Sequence, residues 1–134
     1  MGKDSLDFSF SGVKTAVLYY VRDACRGRRV RPPLVYDICR AFQDAVLDVV
    51  VEKTILACAK MKVPKVVVGG GVSANAVLRE KLTRACGERG MRVFFPGRAY
   101  CTDNGAMVGL LGERLYRQGI VSDFSMTADP NLAA

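Results

Sequence analysis

One short segment, residues 66–82 with the sequence VVVGGGVSANAVLREKL, constrains the fold more than any other. Three valines lead into three glycines, and apolar residues at helical spacing follow. A buried strand that turns sharply into a helix has this pattern. In α/β proteins such a turn lies at the carboxyl edge of the sheet, where ligands usually bind. The segment therefore predicts a strand, a ligand-binding glycine turn and a helix.

The other segments continue this alternation of strands and helices. Alternating Phe and polar residues predict a half-buried strand at 7–12, and two further strands are predicted at 65–68 and 92–96. The strand at 65–68 has no polar alternation, so we expect burial on both faces. The apolar spacing predicts four helices, at 13–24, 34–62, 77–86 and 107–115.

This element order predicts one α/β domain over residues 1–134, with helices packed on a short, mainly parallel sheet and a loose tail at 122–134. Three strands are fewer than the roughly five or six of a typical sheet. We therefore expect the chain to be part of a larger domain. The exposed sheet edge that such a part would carry predicts pairing with a second copy, as a homodimer.

Composition and charge narrow the functional classes. The sequence shows no apolar run near the ~20 residues that span a bilayer and no signal peptide, so we expect a cytoplasmic protein without membrane contact. The net charge is +7, and four arginines lie within residues 26–33, RGRRVRPP. This excess of positive charge suits a polyanionic partner such as RNA, although a solvated loop between two helices explains the arginines equally well.

Histidine is absent from the sequence, which excludes Ser-His, Cys-His and His-metal sites built by this chain alone.

The glycine turn is the first candidate site. Gly69, Gly70 and Gly71 can adopt positive φ and leave room for a ligand, while the following helix is expected to offer free N–H groups to phosphate or ribose oxygens. The amide of Asn75 can read an adenine edge or a ribose hydroxyl. Alternatively, the glycines only permit close packing of strand and helix, and Asn75 or Ser73 caps the helix.

The second candidate site, CTDNGAM at residues 101–107, follows the next strand in the same way. Asp103 and Asn104 lie at the start of the next helix, where a carboxylate could bind a metal ion. The alternative is an N-cap by Thr102 or Asp103. Glycines within the helix cost roughly 1 kcal/mol each relative to Ala, so a ligand, the sheet or another helix is expected against them. These glycines are Gly105, Gly109 and Gly112.

Three segments in this order, DFSFSGVKTAV, VVVGGGVSANAVLRE and CTDNGAM, resemble the tRNA N6-adenosine threonylcarbamoyltransferase family, formerly known as O-sialoglycoprotein endopeptidases or glycoproteases. The resemblance covers nearly all of this chain but only the C-terminal part of the family. It implies the actin/Hsp70/sugar-kinase (ASKHA) fold, in which two RNase H-like lobes face a nucleotide cleft. The chain would then form most of the second lobe.

The resemblance also implies an activity and its residues. The family transfers threonylcarbamoyl from threonylcarbamoyl-adenylate to the adenosine beside the anticodon in tRNAs that read ANN codons. By position, Asn75 matches the substrate-binding asparagine, and Gly70 and Gly71 lie beside the adenylate. Asp103 matches the aspartate that binds the catalytic divalent metal, Fe or Zn. We therefore expect Asn75 and Asp103 to line one pocket.

Two histidines in an H-x-x-x-H motif of the first lobe supply the family's other metal ligands, and this chain has neither. The resemblance therefore implies weak or absent metal binding and no catalysis by this chain alone. The implied partners are tRNA, the missing N-terminal lobe and, in bacteria, an inactive paralogous subunit and a small P-loop ATPase. Charge makes Arg28, Arg29 and Arg31 candidates for contacts with tRNA phosphates.

The sequence also allows three other functions. The chain could be a non-catalytic adenine-nucleotide-binding module of the ASKHA fold, or a plain RNA-binding domain that uses the arginine loop. The older metalloprotease function is the least favoured, because the sequence has no HExxH or other histidine motif.

Overall fold

Four helices and two short strands form in the part of the chain that the structure describes. The computed structural model describes residues 5–25 and 31–127. It divides into two compact units, Met1–Cys101 and Thr102–Ala134. The first unit contains α1 (Phe10–Cys25), α2 (Pro32–Met61), β1 (Lys65–Val67), α3 (Ala76–Gly87) and β2 (Arg92–Phe94), and the second contains α4 (Gly105–Arg117). Short 3-10 turns occupy Gly71–Ala74 and Arg98–Tyr100.

The long helix α2 has clear sequence determinants at both ends. Pro32 and Pro33 form its first turn, where the fixed φ of proline suits a helix and its missing N–H costs no hydrogen bond. The helix ends at Met61, after which Lys62 adopts a left-handed φ of 55° and donates its N–H to the carbonyl of Ala59. The predicted helix at 34–62 is therefore confirmed, and it begins two residues earlier, at Pro32.

The two strands form a parallel pair with α3 as the connection. Lys65 lies opposite Arg92, and Val67 lies opposite Phe94. Helix α3 packs on both β2 and α2. The buried apolar side chains of this layer come from the facing sides of α2 and α3, and they are Leu47, Cys58, Leu78, Leu82 and Cys86. The helices predicted at 77–86 and 107–115 and the strand at 92–96 are confirmed with small shifts at their ends.

A charged cluster joins α2 and α3 at the rim of this core. The ammonium group of Lys81 lies 2.8 Å from a carboxylate oxygen of Asp44 and 2.6 Å from one of Asp48. The hydrogen bond from Lys81 lowers the pKa of Asp44, and the same contacts raise the pKa of Lys81. The cluster thus links α2 to α3 and compensates the positive charge of Lys81.

The strand predicted at 7–12 is wrong. Helix α1 begins at Phe10, and residues 5–9 adopt neither helix nor strand. Alternation over six residues does not by itself specify a strand, because no neighbouring strand in the described residues offers this segment a ladder of hydrogen bonds. Instead Phe10 extends the apolar spacing of α1, and it lines a groove against α2 together with Phe8 and Val13.

The number of strands and the burial of β1 also differ from prediction. The described residues contain two strands rather than three, and β1 ends at Val67. Val66 is half-buried, whereas Val67 is 82% exposed. The predicted burial on both faces is therefore wrong, because α3 covers one face and the described residues place no layer on the other. The broader prediction, helices on a short parallel sheet, is confirmed.

The remaining expectations concern the tail and membrane contact. Residues 122–127 form no helix or strand, while 128–134 lie outside the described residues, so the loose tail stays a prediction. None of the helices in the described ranges combines the length and hydropathy that crossing a bilayer requires.

Candidate functional site

The glycine turn begins where β1 ends. The N–H of Val68 donates to the carbonyl of Phe94, 2.9 Å away, and so keeps the two strands together up to the turn. Gly70 then adopts φ 81° and ψ 169°, a conformation that is essentially restricted to glycine. Its carbonyl accepts the N–H of Ser73 at 3.0 Å, which starts the 3-10 turn Gly71–Ala74. A glycine is therefore required at position 70.

The turn offers backbone donors beside open space. A methyl group added at Gly69 or Gly70 would meet no atom within 4 Å, so the described residues give no packing reason for these two glycines. Within those residues, the backbone N–H groups of Gly69, Gly70, Gly71 and Val72 donate to no acceptor. Free donors in a turn at the carboxyl edge of a parallel sheet suit phosphate or carboxylate oxygens.

Asn75 caps α3. Its side-chain oxygen accepts the N–H groups of Val77 at 2.9 Å and Leu78 at 3.1 Å, while Nδ2 donates to the side-chain oxygen of Gln43 in α2 at 3.1 Å. The expectation that the first turn of α3 presents these N–H groups to a ligand is therefore wrong, because the cap occupies them. The second hydrogen of Nδ2 has no acceptor among the described residues.

Arg79 connects the glycine turn to the loop after β2, a role that the sequence analysis missed. Nε donates to the carbonyl of Ser73 at 2.6 Å, and Nη2 donates to the carbonyl of Pro96 at 2.7 Å. The guanidinium also lies 4.9 Å from the ring centre of Phe95 and donates to Sγ of Cys101 at 3.4 Å. The available signal was spacing, since Asn75 and Arg79 are four residues apart and share one face of α3.

The second unit contains the Asp103 segment. Asn104, rather than Thr102 or Asp103, caps α4: its side-chain oxygen accepts the N–H of Met107 at 3.1 Å, and Nδ2 donates to the carbonyl of Thr102. Asp103 is exposed, and its carboxylate has no hydrogen bond or ion pair among the described residues. The cap alternative for Asp103 is therefore wrong, and the carboxylate is available to a ligand.

The glycines of α4 are not explained by contacts in the described residues. A methyl group added at any of the three would meet no atom within 4 Å. They are Gly105, Gly109 and Gly112. The close partner that the sequence predicts for this helix stays a prediction, as does the pocket shared by Asn75 and Asp103, which belong to different units.

The donor set does not fit a complete metal site. Among residues 5–25 and 31–127, no three side chains of His, Cys, Asp or Glu come together as a group that could hold a metal ion. Asp103 offers one exposed carboxylate. Because structural and catalytic sites of Zn need three or four protein ligands, these residues do not form such a site by themselves, and no chemical step is assigned to a metal.

The arginine segment is only partly described. Arg28 and Arg29 lie outside the described residues. Arg31 is exposed, directly precedes α2, and its side chain makes no capping hydrogen bond. Its charge is therefore accessible to an anionic partner.

Comparison with known proteins identifies the family. The family model of tRNA N6-adenosine threonylcarbamoyltransferase matches residues 1–110. Enzymes of that name from Desulfitobacterium hafniense (strain Y51) and Clostridium botulinum (strain 657 / Type Ba4) are 45% and 43% identical to this chain, each over 96% of its length. The enzyme from Dictyoglomus turgidum is 40% identical over 95%. The chain spans about 37% of the length of these relatives. It belongs to the tRNA N6-adenosine threonylcarbamoyltransferase family.

Proposed function

We propose that this chain holds the adenylate in an enzyme that transfers threonylcarbamoyl from threonylcarbamoyl-adenylate to the adenosine beside the anticodon of tRNAs that read ANN codons. Family membership supports this activity and implies the ASKHA fold. The observation that carries the proposal is the glycine turn, where Gly70 has a conformation restricted to glycine and four successive N–H groups have no acceptor among the described residues. Asn75 follows the turn directly.

In this proposal the chain binds and orients the substrate. The free N–H groups of Gly69–Val72 bind phosphate or ribose oxygens, and the second Nδ2 hydrogen of Asn75 donates to a neighbouring acceptor. The exocyclic amine of adenosine attacks the threonylcarbamoyl carbonyl, so a C–N bond forms, the C–O bond to AMP breaks, and the amine loses a proton. Holding the two reactants together lowers the entropic cost of that attack.

Metal chemistry requires residues beyond those described. Asp103 is the residue that we propose as a metal ligand, and the donor set around it is incomplete. We therefore propose that a further lobe supplies the other ligands of an Fe or Zn ion, and that this chain alone is inactive. In bacteria, the proposed assembly also includes an inactive paralogous subunit and a small P-loop ATPase.

The function is tested by ligand preference and by turnover. We expect the complete transferase to bind threonylcarbamoyl-adenylate at least tenfold more tightly than ATP, measured by calorimetry, because only the adenylate carries the group to be transferred. This chain, mixed with tRNA, metal and adenylate, should give no modified adenosine by mass spectrometry. Equal affinities would favour a nucleotide-binding module, and full turnover by the chain alone would contradict the need for a further lobe.

A second test concerns the arginine segment. Charge reversal of Arg28, Arg29 and Arg31 to Glu should weaken tRNA binding by the complete enzyme at least tenfold at low salt, because it replaces attraction to phosphates by repulsion. The measurement is fluorescence anisotropy with labelled tRNA. An unchanged dissociation constant would show that these arginines belong to a solvated loop.

A further inference from the structure

Two loops that lead into the strands carry the same charge pattern. The first runs from Lys62 to Lys65 and the second from Arg89 to Arg92, so each has a cation, two uncharged residues and another cation. Each loop follows a helix and enters a strand at its amino end. The pattern therefore places four positive charges at one end of the parallel sheet, opposite the end that carries the glycine turn. These residues, Lys62, Lys65, Arg89 and Arg92, form the amino-edge cluster.

The structure brings the two loops side by side. The N–H of Arg92 donates to the carbonyl of Pro64 at 2.9 Å, and Lys65 and Arg92 are direct neighbours in the strand register. Lys62 and Arg89 border the same shallow cavity, with Pro64 in its lining. The corresponding members of the two loops are thus adjacent, so the four charges belong to one surface.

The charges of this surface are largely uncompensated. All four residues are exposed, and among the described residues Lys62, Lys65 and Arg92 make no ion pair. Arg89 has Glu88 at 3.5 Å, but exposed pairs of this kind contribute little. Lys81, by contrast, is neutralised by two carboxylates. The amino-edge cluster therefore attracts anions.

We propose that the amino-edge cluster binds the phosphate backbone of tRNA, an inference that rests on the proposed function. The strands between this cluster and the glycine turn are three residues long, about 10 Å at 3.3 Å per residue. One tRNA is large enough to reach both ends of such a strand. Spaced single charges on loops suit successive phosphates. The guanidinium of Arg92 lies 5.9 Å from the ring centre of Phe94. Phosphate contacts here would position the tRNA without reading its sequence.

The test is the salt dependence of tRNA binding to this chain. Fluorescence anisotropy with an unmodified tRNA transcript is measured from 50 to 300 mM KCl, for the native chain and for the variant with all four cluster residues changed to Gln. Each lost phosphate contact lowers the slope of log K against log salt by roughly 0.7–0.9. We expect the variant to lose roughly three units of slope and to bind at least tenfold more weakly at the lowest salt.

The matched control removes the same total charge elsewhere. It changes four exposed cations outside the cluster to Gln, none of which has an ion pair among the described residues: Lys14, Arg84, Arg98 and Arg114. We expect it to lose less than one unit of slope. Equal losses in the two quadruple variants would show that net charge alone drives binding and would overturn the proposal.

Two further measurements keep the outcome decisive. If the quadruple variant unfolds, two double variants replace it: Lys62→Gln with Arg89→Gln, and Lys65→Gln with Arg92→Gln. Each double variant should show about half of the loss of slope expected for the quadruple variant. Vesicles with anionic lipid serve as the competing partner, and binding to them in preference to tRNA would overturn the proposal. None of these measurements depends on adenylate binding, so a failure of the proposed adenylate site and a failure of the amino-edge cluster give different results.

Discussion

Replacing Asn75 with aspartate is expected to preserve the fold and to lower the affinity for threonylcarbamoyl-adenylate by roughly ten- to a hundredfold. The carboxylate keeps an oxygen that accepts the N–H groups of Val77 and Leu78, and a negative charge is favourable at the start of a helix. It has no N–H to donate, however, and it repels an anionic adenylate. Gln43 can rotate its amide to donate to the new carboxylate, so the contact with α2 survives.

The alanine variant separates the two roles of this residue. Asn75→Ala loses both the cap and the bond to Gln43, and removing an N-cap costs about 1–2 kcal/mol. It should therefore reduce both the free energy of unfolding and the adenylate affinity. Aspartate should reduce only the affinity, with an unfolding free energy within about 1 kcal/mol of the native value.

Urea unfolding of this chain and calorimetry on the complete transferase measure the two quantities. Asn104 offers a matched control, since it caps α4 in the same way and has no assigned ligand. Asn104→Asp should leave both quantities nearly unchanged. If Asn75→Asp binds the adenylate normally, Asn75 is a helix cap and not a ligand-binding residue.

Much of the fold could be predicted because local signals and tertiary packing agree. The glycine turn shows this best: the valines before it form β1, Gly70 needs positive φ, and the apolar spacing after it forms α3. The long helix α2 was predictable for the same reason, since no Gly or Pro interrupts it after its first turn. Each of these elements is specified by its own residues.

The errors lie where a neighbour decides the outcome. The alternation at 7–12 fits a strand only if another strand pairs with it, and in the described residues it precedes a helix instead. The burial of Val67 depends on a layer that the described residues do not supply. Which of Thr102, Asp103 and Asn104 caps α4 depends on backbone geometry that composition does not reveal.

The candidate site could likewise be predicted only in part from the sequence. The sequence places Asn75 and the glycines at a sheet edge, and the structure confirms that location for them. The sequence does not reveal that the Asn75 cap already occupies the first N–H donors of α3, because the cap depends on the rotamer of one side chain. The sequence also gives no signal for the partners of Arg79. They are two backbone carbonyl groups, which any residue type could provide.

Replacing Arg79 with alanine is expected to lower the free energy of unfolding by about 2–4 kcal/mol, since a hydrogen bond from a charged donor contributes about 1.5–3 kcal/mol. Two such bonds, to Ser73 and Pro96, are lost together with the contact to Phe95. Because these bonds join the glycine turn to the loop after β2, both segments should loosen together. Amide hydrogen exchange should therefore accelerate in both segments by a similar factor.

The matched control lies on the same helix. The side chain of Arg84 is exposed and makes no hydrogen bond or ion pair among the described residues, so Arg84→Ala should change the unfolding free energy by less than about 0.5 kcal/mol. Arg79→Lys keeps the charge but replaces the planar fork by a single ammonium group, which cannot hold both carbonyls in the same geometry. It should therefore recover less than half of the loss. Equal effects of Arg79→Ala and Arg84→Ala, or faster exchange in only one of the two segments, would show that Arg79 does not couple the two loops. Accelerated exchange in both segments would instead mean that one side chain of α3 holds the turn after β1 and the loop after β2 together. Adenylate affinity would then depend on a side chain that need not touch the ligand.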